Sequence, residues 1–69
     1  MSIKVNDLQF ENFKNICKEY NEFLVGDDDY LREQLDYALK IQGSWSGMAF
    51  RYYLEGDDWR AEERKFGSS

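Results

Sequence analysis

One short pattern occurs twice, thirty residues apart, and it marks where the chain must turn. Tyr20, Phe23, Leu24, Gly26, Asp27 and Asp28 return at the same spacing as Phe50, Tyr53, Leu54, Gly56, Asp57 and Asp58. Each copy then meets an aromatic residue, Tyr30 or Trp59, and a run of helix formers. An aromatic-Leu pair, a glycine free to turn left-handed and a capping Asp together read as one helix ending and another beginning. Such punctuation arises without ancestry, so the repeat is read as helix-to-helix grammar rather than as a duplicated hairpin.

The segment before the first copy carries a helix start signal. Asn6 stands at an N-cap with Gln9 three residues on, the spacing of a capping box, and Val5 is placed to staple onto Phe10. Leu8, Phe10, Phe13, Ile16, Cys17, Tyr20, Phe23 and Leu24 then recur at the helical period, predicting an amphipathic helix of about five turns. Ile3 and Val5 suit a short extended arm ahead of it. A second helix is expected from within Asp27–Asp29, where negative charge complements the helix dipole, to a stop at Gly43. Leu31, Leu35, Ala38 and Leu39 form its core stripe, widened by Tyr30, Tyr37 and Ile41. Asp28, Arg32, Asp36 and Lys40 alternate in sign at i, i+4 spacing and read as ladder pairs supporting the helix.

Gly43–Gly47 reads as a linker. The stretch after it supports two readings. As a strand, Met48, Phe50, Tyr52 and Leu54 share one face; as a helix, Ser46 caps it and Trp45 staples onto Phe50. The match to Tyr20–Gly26 favours helix. Asp58 to about Phe66, rich in Ala61, Glu62, Glu63, Arg64 and Lys65, is helix-prone as well. The expected fold is therefore all-α, a compact bundle of three to four short helices, with Met48–Leu54 as strand the alternative. Residues 1–66 form one small acidic helical domain, and Gly67, Ser68 and Ser69 a tail outside it.

Composition narrows the function. A chain of 69 residues buries only about 60% of its unfolded surface, and disulfides or metals usually reinforce domains of this size. Here Cys17 is the only cysteine and histidine is absent, so packing must carry stability and a reducing, cytoplasmic setting is expected. No apolar run reaches the length of a membrane span. Without histidine the usual proton shuttle near neutral pH is missing, and no enzyme activity is expected. Gly43-Ser44-Trp45-Ser46-Gly47 has the glycines of a nucleophile elbow but Trp at its centre. Consecutive Asp27, Asp28 and Asp29 lack the alternation of a calcium loop, so neither a metal nor another cofactor is expected. Helices flanking the Gln42–Gly47 turn outline a helix-turn-helix, but three Asp residues at the first would repel phosphates, so direct nucleic acid binding is disfavoured.

What remains is local charge. Between Glu19 and Asp36 seven carboxylates face one guanidinium, a local charge of −6 in a chain whose total is −5. Such a field attracts basic protein surfaces. Glu19, Glu22, Asp27, Asp28, Asp29, Glu33 and Asp36 are the candidate patch, extended by Asp57 and Asp58, with Tyr30 and Trp59 as anchors. The function expected is a protein-binding module that engages and blocks a basic surface of a partner, in the manner of a phage-type inhibitor that mimics DNA. The alternative is an adaptor, antitoxin or self-associating subunit binding through Trp45, Tyr52 and Tyr53, and a homodimer is left open.

Overall fold

A computed structural model describes residues 4–64 and shows an α+β fold, not an all-α bundle. Two helices, α1 (Asp7–Glu19) and α2 (Asp28–Gln42), are followed by β1 (Trp45–Ser46), β2 (Phe50–Glu55) and β3 (Asp58–Glu63). The strands form one antiparallel sheet in the order β1-β2-β3, with helices packed on one face. Two elements expected as helices are thus the two long strands. The arm residue Ile3, the end of the last segment at Lys65 and Phe66, and the tail at 67–69 lie outside the described residues.

The first helix begins as its sequence dictates. Asn6 Oδ1 accepts the Gln9 N–H at 2.7 Å, and Gln9 Oε1 accepts the Asn6 N–H at 2.9 Å, closing the capping box. Val5 and Phe10 are both buried in the core cluster. The helix ends earlier than its apolar period suggests. Tyr20 is its C-cap and Asn21 turns left-handed at φ 57°. The Glu22 N–H reaches back to the Cys17 carbonyl and the Asn21 N–H to that of Lys18, the paired bonds of a Schellman motif. Phe23 and Val25 consequently fall in a loop and are exposed, as is Leu8 on the helix itself.

At α2, Asp27 Oδ1 accepts the Tyr30 N–H at 2.9 Å, and Gly43 stops the helix at φ 76° with its N–H on the Leu39 carbonyl. The charged row on α2 does not form the expected ladder. Asp36 Oδ1 accepts the Val5 N–H and Arg32 Nη2 donates to the Val5 carbonyl, both at 2.9 Å. Arg32 also pairs with Asp7 at 2.9 Å, and Asp28 with Lys14 at 3.1 Å. The row is the seam between α2 and the chain segment leading into α1, and it grips both main-chain groups of Val5.

Gly56 and Asp57 connect β2 to β3 as a two-residue turn. Gly56 supplies φ 64° at the first position and the register runs from Glu55 opposite Asp58 to Phe50 opposite Glu63. Alternation turns Phe50, Tyr52 and Leu54 toward the helices, together with Trp59 and Ala61. Phe13, fully buried, is the hub: its ring centre lies 5.2 Å from Trp45, 5.9 Å from Tyr52 and 4.9 Å from Trp59. Three hydrogen bonds to main-chain carbonyls lock α1 onto the hairpin. Gln9 Nε2 donates to the Gly56 carbonyl, Asn12 Nδ2 to that of Asp57, and Trp59 Nε1 to that of Gln9.

Candidate interaction surfaces

The candidate acidic residues divide by what their carboxylates already do. Glu22 works inside the fold: it accepts the Met48 N–H at 2.9 Å and the Tyr52 hydroxyl at 3.1 Å, tying the α1–α2 loop to the β1–β2 loop. Gly47 makes room for it, since a Cβ there would run into the Glu22 carboxylate. Asp27 caps α2, Asp36 holds Val5, and Asp28 pairs with Lys14. The Asp28 hydrogen bond raises the Lys14 pKa above its usual value, against the opposing effect of desolvation. Asp57 and Asp58 sit at the hairpin turn beside Asn12. Trp59 is buried, with 8% of its surface exposed, so its ring belongs to the core.

Glu19, Asp29 and Glu33 remain exposed, with no ion pair or hydrogen bond from their side chains among the described residues. Two of them flank a surface that the helical period alone did not reveal. Tyr30, Tyr37 and Ile41 were expected to widen the core stripe of α2, but they are 54%, 63% and 62% exposed. At about 100° per residue they fall within about 40° of one another and about 140° from the centre of Leu31, Leu35 and Leu39. Plotting those angles separates the two stripes; counting apolar residues merges them. The outer face of α2 therefore carries an aromatic-aliphatic stripe with Asp29 and Glu33 along one side.

A second grouping joins Glu19, Asp58 and Trp59. They line a groove of about 390 Å³ with Asn12, Asn15 and Ile16, between the flank of α1 and the start of β3. The outer face of the sheet mixes both charges, with Arg60 paired to Glu55 and Glu62. Arg51, Tyr53, Arg60 and Glu62 alternate there, with Arg60 stacked 5.3 Å from the Tyr53 ring centre. Of the aromatics considered for apolar docking, Tyr52 is fully buried, while Trp45 and Tyr53 are half-buried.

Two groups in the core have raised pKa values. Burial, reinforced by Glu22, pushes the Cys17 thiol up to about 12. Burial, then the neighbouring Cys17 and Glu22, raises the Tyr52 phenol well above its ordinary range. Both groups are held neutral, as packing residues are. Among the described residues no three His, Cys, Asp or Glu side chains are gathered to hold a metal ion, and no helix is long and apolar enough to cross a membrane.

No protein-family model, curated protein or solved structure matches the chain.

Proposed function

We propose that this chain is an acidic protein-binding module that lays the outer face of α2 on a basic surface of a partner protein and blocks it. The observation that carries the reading is the pairing of unneutralised Asp29 and Glu33 with the exposed stripe of Tyr30, Tyr37 and Ile41. A solvated helix face needs no such stripe. Tyrosine brings large, stiff contact area and is enriched where interfaces concentrate their energy. Carboxylates at the rim steer encounter and select cationic partners. In its narrowest form the partner is a nucleic-acid-handling protein whose phosphate-binding surface the carboxylates occupy, the action of a phage-type inhibitor. Neither catalysis nor a cofactor enters this reading.

Affinity capture with the wild type, an Asp29→Lys/Glu33→Lys variant and a Tyr30→Ala/Tyr37→Ala variant tests it. A partner retained by the wild type, lost by both variants and released by rising salt supports docking through this face. Retention by both variants removes α2 from the interface. Loss in the tyrosine variant alone, without salt dependence, shifts the reading to an adaptor that binds through apolar contact.

A further inference from the structure

The geometry points to a homodimer formed by antiparallel pairing of β3 with β3 of a second copy, on a two-fold axis through Ala61. Three observations on the hairpin converge on it. The first is position: β3 is the edge of the sheet, and among the described residues no strand lies beyond it. The second is the direction of its main-chain groups. A two-residue turn makes Glu55 and Asp58 a hydrogen-bonded pair, and the Arg64 N–H donates to the Ala49 carbonyl at 2.9 Å. Even-numbered residues of this strand therefore spend their main-chain groups on the β2 side. Those of Trp59, Ala61 and Glu63 turn toward the free edge, spaced for one more strand.

The third is the order of charges. Pairing a strand with its own copy about Ala61 sets residue 60 opposite residue 62 and residue 58 opposite residue 64. On the outer face this places Arg60 against Glu62 of the second copy and Glu62 against Arg60; residues 58 and 64 pair at the ends, where Asp58 already meets Asn12 and Arg64 Nη1 donates to the Gly47 carbonyl. Both pairs flanking the axis are then of opposite sign. Charge order selects this axis and main-chain parity is compatible with it: an axis at Arg60 or Glu62 would set like charges together, whereas at Ala61, itself in a hydrogen-bonded pair, Arg60 and Glu62 fall in the more closely spaced non-hydrogen-bonded pairs. On the inner face a small Ala meets its symmetry mate at the axis and Trp59 stands opposite Glu63 of the second copy. Edge strands are ordinarily guarded by charged side chains, inward-pointing ones included, or by prolines; β3 has no proline, and pairing about Ala61 matches its outer charges at Arg60 and Glu62 instead of opposing them. Arg60 and Glu62 have about half their side-chain surface exposed, and their contact within one chain, at 3.6 Å, is a surface pair that a second partner readily extends. The paired sheet has six strands, with the acidic α2 faces left clear of the new seam.

Charge exchange tests the axis directly. Arg60→Glu alone sets Glu against Glu62 at both symmetry-related pairs, and Glu62→Arg alone sets Arg against Arg60. Each variant should stay folded by circular dichroism and lose dimer affinity by about tenfold or more. An equimolar mixture of the two restores opposite charge at every pair and should recover the dimer. Sedimentation equilibrium reads the mass, which for the wild type should rise with concentration toward twice the 8.3 kDa of one chain. Amide exchange of the wild type gives a second readout without mutation. Protection at Trp59, Ala61 and Glu63 should grow with concentration, while Asp58, Arg60 and Glu62 are protected throughout. A wild type that stays monomeric, single variants that still dimerise, or a mixture that fails to recover each overturns the proposal. So does protection of the odd-numbered amides only on adding an extended peptide from another protein, which would assign the edge to a foreign strand.

Discussion

Replacing Gly47 by alanine should cost as much stability as deleting the carboxylate that Gly47 faces. The φ of Gly47 lies outside the positive range, so the backbone itself accepts alanine and the penalty is steric. A Cβ at this position meets both oxygens of Glu22. Glu22 can leave only by giving up the Met48 N–H at 2.9 Å and the Tyr52 hydroxyl at 3.1 Å. Tyr52 is fully buried, so its hydroxyl then bears the cost of an unsatisfied donor, about 1–3 kcal/mol. The lost bond from Met48 adds about 1 kcal/mol. Gly47→Ala should therefore destabilise by about 2–4 kcal/mol, a large part of the roughly 3–10 kcal/mol a domain of this length possesses. Glu22→Ala should cost a similar amount by the same route. Once the carboxylate is gone the alanine methyl has space, so Gly47→Ala in the Glu22→Ala background should cost less than about 0.5 kcal/mol. The two substitutions are then coupled by about 2–3 kcal/mol. Urea unfolding of the four proteins, followed by tryptophan fluorescence, measures the cycle. Equal costs of Gly47→Ala in the two backgrounds would refute the claim that this glycine exists to seat Glu22.

Two further outcomes follow from the core and the seam. The Cys17 and Tyr52 shifts are both upward, so the unfolded chain releases these protons at lower pH than the folded one. Stability should be fully retained below the ordinary thiol value of 9.0 and fall as pH climbs towards 12, by at most about 1.4 kcal/mol per pH unit for each group. Urea midpoints across that range should show the decline, and Cys17→Ala should flatten part of it; an unchanged slope would rule the thiol out. Asp36→Ala leaves the N–H of buried Val5 without its acceptor and should destabilise by about 1–3 kcal/mol, with faster amide exchange at Val5. Exchange at wild-type rates would mean that water replaces the carboxylate without cost.

The helical half of the fold was legible because its signals are local. Asn6 with Gln9, Asp27 and Gly43 mark their helix ends through bonds to residues three or four positions away. The hairpin was misread because the deciding interactions are remote. Asp58–Glu63 holds good helix formers, but Trp59 and Ala61 alternate toward Phe13 and the helix layer, and burial there outweighs propensity. The thirty-residue echo compounded the error. Its first copy is a loop opened by the Asn21 cap, its second a strand and turn, so equal letters serve unequal structures. Gly56-Asp57 flanked by alternating residues was the available hairpin signal. Of the candidate patch, only Asp29, Tyr30 and Glu33 come together on one exposed helix face. Which carboxylates are consumed internally depends on Val5, Lys14, Met48 and Tyr52, whose proximity no local spacing encodes.

The bonds that fasten α1 to the hairpin also govern the order of events as the chain is made. Trp59 follows Gln9, its acceptor, by 50 positions, and the Gly56 and Asp57 carbonyls follow their donors by 47 and 45. At about 5–20 residues per second, the ribosome delivers Trp59 roughly 2–10 s after Gln9. For that interval Phe10, Phe13 and Cys17 have no sheet to cover them. The strands that cover these side chains follow the helices in the chain, and β3, which brings Trp59 onto Phe13, completes the described core.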